Sequence, residues 1–406
     1  MTRNLSFDFG GRLGIPVGPP VVVSYGMGWD STGLLGLLHK RGIRPEMILF
    51  ANTGAEKDAT YAYLPIINAW CRKVGFPEVT VTMNKTLAST PYNDIEGNYF
   101  HTESMPGPAF GFTTHECSVK WKRGPIDKFI EGANGAANKY GDDGTRTRTV
   151  VPGKKIRAWA WTPAAEAWER GEKVTKLIGF DASPADLKRR DKDDKEIEDS
   201  LRLVAHPEDL EKIADPKKRK SAWERAKAKV NEFNRYHTVY PLIEAGLTRP
   251  ELVTMITDYM GLPLPVKSAC YFCPASKKWE IWWLAANEPH NLEKALAVEY
   301  NAMVGKNSRW GRRSKDKPKA GTDPETYDKE WLEFIIDTGK KWPSTKTTVG
   351  LGCSFAWGRY CRENKIVNRA LKVVIAPAVA MAEVERLRGG NAIDSRFKGI
   401  PLEIAA

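Results

Sequence analysis

The stretch "VVVSYGMGWDSTGL", residues 21–34, decides how this chain folds. Three valines and a serine make a short apolar run with no polar face, as a strand buried on both sides requires. Two glycines one residue apart follow, then Asp30, Ser31 and Thr32, and then a leucine-rich helix that Gly42 ends. Their short oxygen-bearing side chains suit a helix start. A strand that hands a glycine turn to a helix N-terminus is an arrangement for holding phosphate. Glycine lets backbone N–H groups approach the oxygens, and the helix start adds partial positive charge. Two familiar phosphate loops do not fit. The Walker pattern accepts the spacing of Gly28 and Gly33 but meets Leu34 where its lysine must stand. The dinucleotide pattern accepts Gly26 and Gly28 but meets Ser31 at its third glycine.

Outward from this loop the same rhythm recurs. "MILFAN" (47–52), "EVTVTMN" (78–84) and "KVTKLIGF" (173–180) read as further core strands. Residues 58–75 read as a helix in which Pro65 is a kink or a late N-terminal break. Strands alternating with helices predict the α/β class: a parallel twisted sheet with helices on both faces, and ligands beyond the carboxyl ends of its strands. The predicted organisation is an α/β nucleotide-binding domain over 18–245 and a mostly helical C-terminal region over 246–406. Within the first, residues 131–155 read as a Gly-, Asn- and Thr-rich loop insertion. Residues 186–235 read as an exposed helical insertion whose charges pair along the helix. In the second, 251–263 reads as an amphipathic helix closed by Gly261 and Pro263. Residues 277–303 read as helical, with Trp279, Trp282 and Trp283 as packing, and 308–324 as a basic loop.

The bulk numbers narrow the function classes. With 406 residues the chain has room for two domains or one with large insertions, and its 42% hydrophobic and 28% charged residues are ordinary for a globular protein. Its apolar runs fall far short of a membrane span, so no membrane partner is expected. "MTRNLSFDFGG" has no apolar signal core, which predicts a cytoplasmic protein. A net charge of +12 favours an anionic partner, nucleotide, tRNA or DNA, although a solvated lysine-rich surface gives the same count.

The six cysteines are then expected as thiols or metal ligands, not disulfides. Cys270 and Cys273 form a C-x2-C followed by Pro274, a spacing that turns two thiolates toward one metal. Zinc, an iron–sulfur cluster and a redox dithiol all remain open to such a pair. Cys117 is the best third ligand, with Cys353, His115 and His290 weaker candidates for a fourth. Cys71 and Cys361 read as core.

"SYGMGWDST" resembles the pyrophosphate loop of the PP-loop superfamily, S-G-G-x-D-S in its common form, through Gly28, Asp30 and Ser31. Gly26 and Met27 replace the usual serine and glycine, and Ser24 or Tyr25 would have to supply the missing hydroxyl. "FANTGAEKDATYAY" resembles the second motif of the phosphoadenosine phosphosulfate (PAPS) reductase-like branch through Asn52, Thr53, Gly54, Glu56 and Thr60. "THECSVKWKRGPIDKFI" resembles a third through Cys117, Lys120, Lys122 and Pro125, and "LIGFDASPADLKRR" a fourth through Gly179, Asp186 and Arg189 or Arg190. The resemblance implies an adenine nucleotide alpha hydrolase-like fold that binds ATP, or PAPS, with Mg2+. Ser24, Gly26, Gly28, Asp30, Ser31, Asn52, Thr53, Gly54, Glu56, Gly179 and Arg189 would line the nucleotide, and Asp30, Lys120 and Lys122 would serve catalysis. Some relatives hold a cluster on three cysteines, which Cys117, Cys270 and Cys273 would match.

Three functions follow from these residues. The first is an ATP pyrophosphatase that adenylates a substrate for sulfur transfer, with nucleic acid as acceptor, an iron–sulfur cluster and a sulfur-donor protein as partner. The second is a PAPS or adenylyl-sulfate reductase, disfavoured because the tail lacks a cysteine and no two cysteines are adjacent. The third is a non-catalytic, zinc-stapled nucleic-acid-binding protein.

Overall fold

A computed structural model of the chain describes residues 12–84, 89–103, 117–132, 146–154, 157–273, 276–304 and 356–388. His115, Pro274, Cys353 and the basic loop at 308–324 lie outside them. The opening stretch folds as read: strand β1 (Val21–Ser24) leads through the glycine turn to helix α1 (Trp29–Lys40). Strand β2 (Met47–Asn52), helix α2 (Asp58–Val74) and strand β3 (Val79–Met83) follow, and α2 passes through Pro65 without ending. Helix α3 (Ile95–Thr102) comes next, and a π-helical turn at Ser118–Arg123 runs into helix α4 (Gly124–Glu131). Strands β4 (Arg146–Val150) and β5 (Arg157–Trp161) precede helix α5 (Thr162–Glu169) and strand β6 (Val174–Ile178). Helices α6 (Pro184–Ala205) and α7 (Pro216–Arg235) lead into strand β7 (Tyr236–Val239).

Five strands form one sheet in the order β3-β2-β1-β6-β7. β1 pairs parallel with both β2 and β6, and β6 pairs parallel with β7. The chain first builds outward from β1 on one side and later returns to build on the other. The carboxyl end of β1 is therefore at the switch point of the sheet, where neighbouring connections leave in opposite directions. Val22, Val23, Ile48 and Leu49 are fully buried in this sheet, as their unbroken apolar runs require, and Leu177 is equally buried although Thr175 and Lys176 interrupt its run. Leu34, Leu35, Leu37 and Leu38 of α1 are equally buried. Gly33, which mimicked a Walker glycine, serves packing: a Cβ there would stand 2.7 Å from Cδ2 of Leu252.

Several sequence readings need correction. The supposed loop at 131–155 contains β4, which pairs antiparallel with β5. Its alternation of Arg146, Thr147, Arg148, Thr149 and Val150 is a strand signal that the Gly- and Asn-rich flank hides. β7, "YHTV", carries little strand signal in the sequence, being short and having two polar residues. The helix at 251–263 is instead Arg249–Thr254 continued by a π-helical turn, Met255–Tyr259, with Gly261 at φ +67°. Residues 277–303 split into Lys278–Asn287 and Pro289–Val304, because Pro289 has no N–H to carry the first helix onward. The 186–235 insertion is helical as expected, with α6 and α7 packed on each other.

The chain divides into two compact units that no single cut separates. The first comprises residues 1–50, 63–82 and 126–266; the second comprises 51–62, 83–125 and 267–406. The second is helical, with α3, Lys278–Asn287, Pro289–Val304, Ala356–Glu363 and Pro377–Arg388 around Trp121, Phe272, Ile281, Leu292 and Trp357. Trp282 is buried there and donates its indole N–H to the Tyr360 hydroxyl at 2.9 Å, and Trp279 and Trp283 pack against the same core. Among the described residues no helix is long and apolar enough to cross a membrane.

Candidate functional site

In the first unit, the loop after β1 is shaped by three side chains. Met27 holds φ +54°, the left-handed region that side chains other than glycine avoid, and its side chain is fully buried. This is the position where the resemblance leads to glycine, and Met27 takes the glycine-like conformation anchored by the core. The Ser31 hydroxyl closes the turn, accepting from the N–H of Gly26 and of Gly28, each at 3.2 Å. Trp29 donates its indole N–H to the Pro265 carbonyl at 2.6 Å. The Tyr25 hydroxyl lies buried against Thr32 Oγ1 at 3.0 Å, so it is not the hydroxyl the loop lacked. Ser24 ends β1, level with Leu49 and Ile178 in the ladders.

Gly179 supports the loop from behind. A Cβ there would meet Ser31 N at 2.9 Å and the Asp30 carbonyl carbon at 3.0 Å, so only glycine lets β6 end this close. The chain then brings charge to the loop. Asp181 is 1% exposed; its Oδ1 accepts from Ser183 N at 3.0 Å, and Arg249 Nε lies 3.7 Å from its Oδ2. Asp186 takes Arg189 at 2.7 Å and the Asp181 N–H at 3.2 Å. Asp30 Oδ1 and Asp181 Oδ2 are buried without a hydrogen-bond donor. Burial pushes the Asp30 carboxyl up to about 6; Arg249 opposes this, and Asp181 and Asp186 reinforce it. Burial also raises Asp186, against the pull of Arg189. Sequence reading missed Asp181 and Arg249. Asp181 stands two residues after Gly179, inside the quoted fourth motif, whereas nothing local marks Arg249.

In the second unit, residues 52–56 form a tight turn. Asn52 Oδ1 accepts from Gly54 N at 2.8 Å and from the Tyr61 hydroxyl at 2.7 Å. Gly54 has φ +80°, and a Cβ would stand 2.3 Å from Asp94 Cβ. Glu56 is bridged antiparallel to Cys270, and Tyr271 N donates to Ala55 O at 3.0 Å. The Glu56 carboxylate, 2% exposed, therefore lies among the cysteine-site residues. Its Oε1 takes Lys122 at 3.0 Å and the Thr53 hydroxyl at 3.3 Å, and Cys270 Sγ lies 3.8 Å away. Its Oε2 is buried without a hydrogen-bond partner. Burial works against the Lys122 ammonium, but Glu56 and Cys270 outweigh it and hold its pKa above the usual lysine range. Burial, then Glu56, pushes the Cys270 thiol well above the ordinary thiol range. Burial, then Cys273, raises Cys117. Lys120 reaches Asn98 Oδ1 at 3.2 Å and lies over the Trp121 ring at 5.0 Å.

The structure thus gathers Ser24, Gly26, Gly28, Asp30, Ser31, Gly179 and Arg189 in the first unit. Asn52, Thr53, Gly54, Glu56, Lys120, Lys122, Cys117, Cys270 and Cys273 belong to the second. Cys273 lies within electrostatic reach of both Cys117 and Cys270, and its N–H donates to Cys270 O at 2.9 Å. Three thiols match zinc or an iron–sulfur cluster in donor chemistry. They do not match in convergence: among the described residues no three His, Cys, Asp or Glu side chains meet closely enough to hold a metal ion. His290 is engaged elsewhere, with Asp58 at 2.7 Å. Cys71 and Cys361 are fully buried core thiols, as read.

A mostly parallel five-stranded sheet with helices, and a glycine loop after its central strand, defines an α/β protein. Comparison with protein-family models, with curated proteins and with solved structures returned no match.

Proposed function

We propose that this chain is a PP-loop, PAPS reductase-like enzyme that binds ATP, or PAPS, at the 24–31 loop and cleaves ATP to pyrophosphate while adenylating an acceptor. What supports the reading is the position of that loop at the carboxyl end of the central strand, between two parallel neighbours. The N–H groups of Gly26 and Gly28, now turned to Ser31, are the donors for pyrophosphate oxygens, backed by the start of α1. Asp30 and Asp181, each with a buried oxygen lacking a donor, are the residues that would hold Mg2+. That ion would neutralise charge on the leaving group. An acceptor oxygen forms a bond to the α-phosphorus as the bond from that phosphorus to the bridging oxygen breaks. Pyrophosphate leaves with the electron pair, and the acceptor proton passes to solvent. The loop contributes positioning and charge stabilisation, which suffice for such a transfer.

Cys117, Cys270 and Cys273 are proposed as the sulfur-handling set; an iron–sulfur cluster, or zinc in its place, would have to draw the three thiols together to be held there. Pyrophosphate release from Mg·ATP, with Asp30→Ala as control, tests the nucleotide reading. It is abandoned if neither ATP nor PAPS binds the wild-type protein. Iron, sulfide and zinc content of anaerobically purified protein, beside a Cys270→Ser variant, tests the thiol set. Metal-free wild-type protein would count against it.

A further inference from the structure

Helix α7 carries a larger net charge than any other described element. It carries eight Lys and Arg against two Glu, a net +6 within a chain of net +12. Its partner α6 is nearly balanced, and Asp186–Arg189, Arg190–Asp191 and Asp199–Arg202 pair along it. That is the behaviour expected of a solvated helix. α7 departs from it. Lys229 and Arg235 have partners, Glu232 at 3.7 Å and Glu131 at 3.0 Å. Lys217, Lys218, Lys220, Arg225 and Lys227 are exposed, and among the described residues none has a carboxylate within ion-pair reach. At 3.6 residues per turn these five share one broad face, whose only exposed carboxylate is Glu224; Ala226 marks the opposite, buried side. Asp215, just ahead, is spent on capping the N–H groups of Lys217 and Lys218.

We infer that this face of α7 is a docking surface for the phosphodiester backbone of a nucleic acid. Unpaired cations at helical spacing match a regular row of phosphates, and release of condensed counterions drives such contacts. An anionic membrane would also attract the charge. A helix that lies in a membrane interface, however, exposes large apolar side chains as well. Here the residues between the cations on the exposed face are Ser221, Glu224 and Ala228, and Trp223 is half-buried beneath Lys227. The inference deepens the proposed function by giving the acceptor a surface. It rests on that reading only for the word acceptor.

The test uses the full chain without nucleotide, with a labelled short DNA duplex, a matching RNA duplex, and vesicles containing phosphatidylserine. The variant replaces Lys217, Lys218, Lys220, Arg225 and Lys227 by Gln, which keeps helix propensity. Circular dichroism and thermal melting confirm its fold. The wild type is expected to bind duplex with a steep salt dependence. The variant should lose roughly 4 from the slope of log affinity against log salt, about 0.9 per phosphate contact. The relative affinity of the DNA and RNA arms identifies the source of the backbone. Equal salt slopes for wild type and variant, binding to vesicles but not duplexes, or no binding at all would each overturn the inference. Pyrophosphate release is measured separately without nucleic acid and should be equal in both proteins. Its failure strikes the nucleotide reading and leaves the surface standing.

Discussion

The loop of the first unit and the cysteine region of the second both gather buried charge, by opposite means. Around the loop, carboxylates dominate: Asp30 and Asp181 each keep an oxygen without a hydrogen-bond donor, and Arg189 and Arg249 stand nearby. Around Cys270, a carboxylate and an ammonium neutralise one another, and the thiol beside them is held protonated by burial. Under the proposed function, the first arrangement would take up a cation together with an anion. The second is balanced until something draws the thiol proton away, as a metal does.

The comparison breaks most sharply at two glycines. Gly54→Ala combines φ +80° with a Cβ 2.3 Å from Asp94, and should cost on the order of 3 kcal/mol or more in urea unfolding. Gly179→Ala meets loop backbone at 2.9 Å and should cost about 2 kcal/mol. It should also abolish nucleotide binding by calorimetry; unchanged affinity would show that the loop tolerates a side chain behind Ser31.

Next comes the ion pair. Lys122→Met leaves Glu56 buried without its partner and should destabilise by about 2 kcal/mol, less than a fully buried pair because Lys122 is 40% exposed. Adding Glu56→Gln should restore part of that loss; full additivity in the double-mutant cycle would show that the two do not interact.

The loop carboxylate supplies a pH signature. Asp30 is pushed up to about 6 from an ordinary value of 3.8. Between those values the folded state binds the proton that the unfolded state has released, so stability falls as pH rises from about 4 to about 6 and then levels. Asp30→Asn should flatten that limb and raise stability at pH 8 by about 2 kcal/mol while abolishing pyrophosphate release. An unchanged profile would mean that Asp30 does not titrate as its surroundings dictate. The smallest effect is kinetic: Cys117 and Cys273, half-buried, should alkylate ahead of Cys270 in a mass-spectrometric time course.

Much of the sheet was legible because buried parallel strands write themselves as short apolar runs, and "VVVS" and "MILFAN" are such runs, while "VTKLI" keeps enough of the pattern around Thr175 and Lys176. The loop was legible from Gly26, Gly28 and Asp30. The C-x2-C was legible from its spacing, but the place of Glu56 beside Cys270 was not, since that contact spans 214 positions and depends on tertiary packing. The interleaving of the two units was hidden for the same reason, because segments 51–62 and 83–125 join residues after 266 without any local mark. The unpaired face of α7 was hidden among charges that, on α6, pair off as expected.

Under the proposed function, Met27 fixes the state in which the loop would meet an anion. A glycine there would wander among conformations until a ligand fixed it. A methionine rooted in the core has already made that choice, so ordering of this turn is completed when the protein folds. Binding then draws little on chain entropy, and Met27→Gly should weaken nucleotide affinity by slackening the receptor while every phosphate-facing atom stays in place.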